Sequence, residues 1–292
     1  MSHASRYLDP ALVERLNQLQ IAARRVVEGT SLGLHRSPFK GASVEFRQHR
    51  AYVPGDEPRR LDWRVLARTD RPFVKEYDEE TNLRCLLMLD CSGSMRYANK
   101  FDYAARVTAS LAYLMLAASE NAGLALLGKQ LSHWLTPHGG SKQLSRITTA
   151  LDGAVPRGAI DLKRSTEEAA ARLGRRALVI LISDFFSPVE MIGNALARFR
   201  HDRHELICLR VIHPDEQNFP FDKWSRFRGL ESEQPFLCEP ALIRSQYLNN
   251  FQRHHRELQA VMRGASTEFH EFLTDRPLIE SVTQFLRCRA SR

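Results

Sequence analysis

Asp90, Ser92 and Ser94 stand at alternate positions directly after the apolar run Leu86-Leu87-Met88-Leu89. One carboxylate and two hydroxyls converging on a point form a hard oxygen donor set. Such a set suits Mg²⁺ or Mn²⁺. A run of this kind reads as a strand buried on both faces of a parallel sheet. The three residues then occupy the loop at the strand's carboxyl end, where open α/β sheets hold their ligands. A second apolar run, Ala177–Ile182, ends in Ser183-Asp184. Two strand ends carrying an aspartate in the same place predict one acidic site built from Asp90, Ser92, Ser94 and Asp184. Asp184 also stands where it could cap the helix expected after Pro188.

The elements that must position these groups follow from periodicity. Leu8, Leu12, Leu16, Leu19, Ala23 and Val26 recur at helical spacing, so residues 8–28 read as an amphipathic helix ended by Gly29. Residues 30–83 have no helical period and are rich in Pro and Gly, which predicts a small β-rich or irregular subdomain. From residue 84 strands and helices alternate, the signature of a parallel sheet with crossover helices. Strands are expected at 84–90, 177–182, 205–212 and 266–273. A hairpin is expected at 123–127 and 132–135, turning through Gly128-Lys129-Gln130. Helices are expected at 100–119, 142–150, 162–173, 189–199, 241–262 and 277–287, with loops or a β insertion over 215–240. The chain thus divides into residues 1–83, a helix with a β-rich subdomain, and residues 84–292, a Rossmann-like α/β domain with a mostly parallel sheet flanked by helices.

The 292 residues, 43% hydrophobic and 26% charged, are those of a globular protein with a substantial core. No apolar run approaches the roughly 20 residues of a membrane span, and Met1–Leu19 lacks a signal-peptide pattern. A cytoplasmic location is the expectation. Five scattered cysteines form no Cys-x-x-Cys pair, which argues against a zinc knuckle or a disulfide framework. Four of them read as core residues, and Cys91 has no histidine placed by sequence to activate it. The net charge of +8 is concentrated at residues 47–71 and 198–210 and at Arg287, Arg289 and Arg292. These arginines are interspersed with Asp and Glu and read as solvated or ion-paired surface, so nucleic acid is not the expected partner. Phosphate-loop, Gly-x-Ser-x-Gly and His-Glu-x-x-His motifs are absent from the sequence. His254-His255 reads as surface.

A second signature lies before the sheet: Glu45, Arg50, Tyr52, Asp56, Arg59, Asp62, Trp63 and Arg68. Three acids, three arginines and two rings can form an ion-pair knot shielded by the aromatics, since arginine pairs carboxylates in bidentate fashion. The same residues could instead face a partner.

The Asp-x-Ser-x-Ser loop and the order of elements over residues 84–288 resemble the von Willebrand factor A domain and its metal-ion-dependent adhesion site. There a partner's carboxylate completes the metal's coordination. Gly158-Ala159-Ile160-Asp161-Leu162 resembles that family's second ligand loop, but Ile160 replaces the ligating threonine, so the site is incomplete and any Mg²⁺ or Mn²⁺ is expected to bind weakly. The combination Arg50-x-Tyr52-x-x-Gly55-Asp56-x-x-Arg59-x-x-Asp62-Trp63, Ala67-Arg68 and Leu89-Asp90-x-Ser92-x-Ser94-Met95 resembles the bacterial domain-of-unknown-function fifty-eight proteins. The resemblance covers about residues 10–290. It implies a von Willebrand A-like domain and a non-catalytic role as adaptor or co-chaperone of a MoxR-type AAA+ ATPase. A partner carboxylate from that ATPase or its client would meet the acidic site. The competing expectations are a metal-dependent phosphohydrolase using Asp90 and Asp184, which lacks an identifiable general base, and a nucleic-acid-binding protein driven by the basic charge.

Overall fold

The computed structural model describes residues 5–20, 45–53, 61–69, 71–78, 83–174, 176–227, 229–231 and 236–290. They fall into two units, one of residues 5–20 with 83–290 and one within 45–78.

The large unit is built on a six-stranded sheet. Its strands are β3 (Arg84–Asp90), β4 (Asn121–Leu127), β5 (Leu131–His138), β6 (Leu178–Ser183), β7 (Glu205–Ile212) and β10 (Glu268–Leu273). Across the sheet they lie in the order β10-β7-β6-β3-β4-β5. All neighbours run parallel except the β4–β5 hairpin. This is the mostly parallel, Rossmann-like α/β architecture that the alternating pattern predicts. β3 and β6 are central and buried along nearly their whole length, which is why they read as continuous apolar runs.

Alternate side chains of β3 enter two cores. Cys85, Leu87 and Leu89 pack with α3 (Lys100–Ala117), α4 (Ser141–Asp152) and α9 (Leu278–Ala290). Leu86 and Met88 pack with α5 (Leu162–Leu173), α6 (Val189–His201) and α8 (Pro240–Gly264). From β3 the chain moves outward to β4 and β5. It then returns to pair β6 on the other side of β3. The carboxyl ends of β3 and β6 therefore flank a topological switch point, the usual ligand crevice of such sheets.

Two expectations are corrected and a third is met in its β insertion and extended by a short helix. The helix over residues 10–20 (α1) belongs with the sheet, not with the N-terminal subdomain: Leu12 and Leu16 are buried in the α3-side core, and Asp9 pairs with Arg106 at 2.9 Å. The boundary at residue 83 thus separates only the small unit, in which β1 (Glu45–Ala51) and β2 (Phe73–Asp78) form an antiparallel pair. That unit also holds a helix that the periodicity did not show, α2 (Trp63–Thr69). Asp62 starts it, its side chain accepting the Val65 amide at 3.3 Å. Residues 215–240, expected as loops or a β insertion, carry the short helix α7 (Pro214–Asn218) and the hairpin β8 (Ser225–Phe227) and β9 (Phe236–Cys238).

Candidate functional site

The structure brings Asp90, Ser92, Ser94 and Ser183-Asp184 together at the switch point. Asp90 closes β3 and accepts two hydrogen bonds, from the Ser92 amide at 2.7 Å and from Ser183 Oγ at 2.6 Å. The second bond ties the β3 and β6 ends together. Ser92 Oγ lies 3.0 Å from Ser94 Oγ. Asp90, Ser92, Ser183 and Asp184 are buried, and Ser94 is half-buried. Burial, then the nearby charge of Asp184, pushes the Asp90 carboxyl up to about 6, against the lowering effect of its hydrogen bonds. Asp90 thus stands in a negative potential that a cation would relieve.

A cation is already built in. Lys100, the first residue of α3, is completely buried, and its ammonium lies 2.7 Å from Asp184 Oδ2 and 2.6 Å from Glu216 Oε1. Burial alone would lower the Lys100 pKa. The charges and hydrogen bonds of Asp184 and Glu216 outweigh that and hold it raised. Glu216 comes from α7, and its other oxygen accepts the His213 amide at 2.9 Å. Phe186 covers the pair, with the ammonium 4.9 Å from its ring centroid. Phe185, between Asp184 and Phe186, is buried at φ 54°. This is a left-handed conformation that a bulky residue holds only where its surroundings force it. The turn aims Asp184 at Lys100 and sets Phe186 above it.

Arg210 forms the next layer. It is fully buried in β7, donating from Nε to the Asp184 carbonyl at 3.2 Å and from Nη1 to Glu271 at 3.3 Å. Arg210, inside the apolar run Leu206–Ile212, is thus a buried structural cation and not part of the charged surface. The expectation that His254-His255 is surface is corrected too. His254 is half-buried against the Phe185 carbonyl at 2.7 Å, and His255 lies 3.1 Å from both Arg210 Nη1 and Glu271.

The surrounding loops are pinned to one another. The Gly93 amide donates to Gly158 at 2.7 Å, that of Arg157 to Cys91 at 2.8 Å, and that of Asp161 to Gly128 at 3.0 Å. Ile160 packs toward the α5-side core, and Asp161 caps α5 through the Arg164 amide at 3.0 Å. The second loop thus contributes shape and no ligand. A Cβ on Gly93 would lie 2.1 Å from the Leu230 carbonyl oxygen, so residues 229–231 lie directly over the Ser92–Ser94 turn.

As a metal site the cluster fits in half. Asp90, Ser92 and Ser94 keep lone pairs suited to Mg²⁺ or Mn²⁺. Asp184 is committed to the ammonium. Among the described residues no group of three or more His, Cys, Asp and Glu side chains could hold a metal. Cys91 is buried, and burial pushes its thiol well above the usual range, which makes it a poor nucleophile. Cys85 and Cys208 are buried as expected, but Cys238 is half-buried and Cys288 exposed.

In the small unit the predicted ion-pair knot is only partly visible. Asp56 and Arg59 lie outside the described residues, as does the Glu45 side chain. Asp62 is buried and caps α2. Arg50 Nη1 donates to the Ala51 carbonyl at 3.1 Å, Tyr52 is half-buried and Arg68 exposed. Trp63 is 64% exposed, so it does not shield the pairs as expected.

Sequence reasoning missed Lys100, Glu216 and Arg210. A lysine in the first turn of a helix opposes the helix dipole, and Arg210 interrupts the apolar run Leu206–Ile212. Both were available signals.

Two uncharacterized proteins, from Mycobacterium tuberculosis and Mycobacterium bovis, are 25% identical to the chain over 293 residues, covering 96% of it and 90% of their own length. The uncharacterized protein YeaD of Bacillus subtilis is 33% identical over 81 residues, 28% of this chain and 19% of that protein. Among solved structures, an aerotolerance-related membrane protein from Bacteroides fragilis gives a TM-score of 0.49 at 14% identity, covering 72% of this chain and 99% of that one. A conserved hypothetical protein, BatB, from Bacteroides thetaiotaomicron gives 0.44 at 14% identity, covering 72% of this chain and 100% of that one. With both scores under 0.5, neither likeness bears on the function of this chain. No helix among the described residues is long and apolar enough to cross a membrane. With residues 48–257 matching its sequence profile, the chain belongs to the family described as "Protein of unknown function DUF58".

Proposed function

We propose that the chain is a non-catalytic protein-interaction module, an adaptor or co-chaperone of a MoxR-type AAA+ ATPase in the cytoplasm, whose acidic site is held by Lys100 rather than by a tightly bound metal. The observation that carries this reading is the buried ammonium between Asp184 and Glu216. A complete adhesion site uses a divalent cation to hold its acidic loops and to present a coordination position to a partner. Here Lys100 neutralises the β6-end carboxylate and ties it to α3 and α7, so those elements are fixed without a metal. A Mg²⁺ or Mn²⁺ ion that does bind is held by Asp90, Ser92 and Ser94, and offers its open position to a partner carboxylate.

The absence of chemistry is supported by the same contacts. Each oxygen of Asp90 and Asp184 already accepts an internal hydrogen bond, which disfavours either as a general base, Cys91 is buried as a thiol, and two-metal hydrolysis needs a second cluster of ligands. The choice of ATPase rests on the resemblance of the Arg50–Trp63 and Leu89–Met95 segments. Its test is co-expression with the MoxR-type ATPase of the same genome and affinity capture in Mg²⁺ and again in EDTA. Retention in both buffers is the expected result. Retention only with Mg²⁺ would overturn the role given to Lys100, and no retention in either would remove the adaptor.

A further inference from the structure

Beside the acidic site, at the same end of the sheet, a groove of about 1280 Å³ opens between the β4–β5 turn and α4. Its walls carry four exposed cations from three separate elements: Lys129 on the turn, Lys142 and Arg146 on α4, and Arg157 on the loop beyond it. Among the described residues that line it none is acidic and none is a Phe, Tyr or Trp. Among the described residues these four cations make no ion pair. The carboxylates nearest in sequence are engaged elsewhere: Asp152 accepts from Ser5 at 3.1 Å, and Asp161 caps α5. The floor is apolar, with buried Leu126, Leu135 and Ala154, and Val155 stands 69% exposed at the rim. The hydroxyls of Ser132, Ser145 and Thr149 add donors along the walls.

We propose that this groove is the docking site for an acidic segment of a partner protein that carries apolar side chains between its carboxylates. Four positive charges around one concavity, none of them paired among the described residues, give a potential that selects negative charge. The apolar floor rewards buried side chains, which a bare phosphate does not offer. The groove exceeds the roughly 300–1,000 Å³ of small-molecule pockets, so it fits a stretch of chain better than a metabolite. Single-stranded nucleic acid binds through a basic groove together with large aromatic rings for its bases to stack on. Among the described lining residues the only ring is the His133 imidazole, so an oligothymidylate is set against the peptide. Arg157 and Cys91 share a backbone hydrogen bond of 2.8 Å, so a segment seated here lies against the loop that carries Asp90.

This inference deepens the interaction-module reading, and its test is independent of the ATPase. The probe is a fluorescein-labelled dodecapeptide of Asp, Glu and Leu, followed by anisotropy at low and moderate salt, with an oligothymidylate of equal length and inorganic phosphate as competitors. The expected result is saturable binding that weakens with salt and is displaced by neither competitor. It should fall roughly tenfold or more in Lys142→Glu/Arg146→Glu, and again in Lys129→Glu/Arg157→Glu. The two pairs sit on different elements, and far-UV circular dichroism confirms that each variant folds. No binding, binding unchanged in both folded variants, or tighter binding of the oligothymidylate would each overturn the proposal. Peptide binding without ATPase capture would leave the groove standing and remove the ATPase; the reverse would remove the groove alone.

Discussion

Replacing Lys100 by methionine should cost the protein about 3–5 kcal/mol of stability, the usual loss when one member of a buried ionic cluster is removed. At an effective dielectric of about 20, two unit charges 2.7 Å apart attract by roughly 6 kcal/mol. The Glu216 contact, at 2.6 Å, is of the same size. Against these stand the several kcal/mol for desolvating each charge, which the folded protein has already spent on Asp184 and Glu216 and which the variant leaves uncompensated. Methionine nearly matches lysine in volume, so the loss reports charge rather than a cavity. Urea unfolding followed by circular dichroism at pH 7.5 measures it. The deficit should shrink as pH falls, because burial already raises the Glu216 carboxyl and its protonation removes an unpaired negative charge. The triple variant Lys100→Met/Asp184→Asn/Glu216→Gln should recover most of the loss, since no buried charge is left without a partner. A loss under about 1 kcal/mol in the single variant, or no recovery in the triple, would refute the argument that Lys100 holds the site together.

Asp90 should behave in the opposite sense. Its pKa is raised in the folded state from an ordinary 3.8 to about 6, so its stabilising contribution is complete below about pH 4 and is lost as pH rises through about 6. Asp90→Asn should remove that dependence and be at least as stable as the parent at pH 8, measured by urea midpoints at pH 4.5, 6 and 8. Gly93→Ala places a methyl against the Leu230 backbone and should cost about 1–3 kcal/mol, with faster proteolysis near residues 229–231; unchanged stability and cleavage would show that this segment does not lie on the turn. With a thiol reagent under native conditions, exposed Cys288 should react quickly. Buried Cys85, Cys91 and Cys208 should wait for unfolding, as peptide mapping would show; fast labelling of Cys91 would reopen a nucleophilic role.

The parts of this structure legible in the sequence are those whose signal is local and apolar. β3 and β6 announce themselves as apolar runs because both faces are buried, and the aspartate at each end marks the ligand crevice before the topology is known. α1 was legible as a helix but not in its docking, because an amphipathic stripe shows that a face is buried and not what covers it. α2 was hidden since its seven residues hold less than two turns of period between Asp62 and Thr69. Lys100 and Glu216 lie 116 residues apart. Each alone reads as a polar residue at a helix end, and only the fold makes them one site with Asp184. Arg210 was legible in principle, since a charge inside an apolar strand requires a buried partner. Grouping it with neighbouring surface arginines concealed that. The basic groove was also out of reach, because its four cations come from a turn, a helix and a loop that only the fold brings around one concavity.

The central proposal, that the Lys100 ammonium rather than a tightly bound metal holds the acidic site, is tested most directly by calorimetric titration of Mg²⁺ into the metal-free protein. The expected affinity is of millimolar order or weaker, confined to the Asp90, Ser92 and Ser94 half of the site. Micromolar binding that is abolished in Asp184→Asn would contradict it, because Asp184 would then be a metal ligand rather than the partner of Lys100.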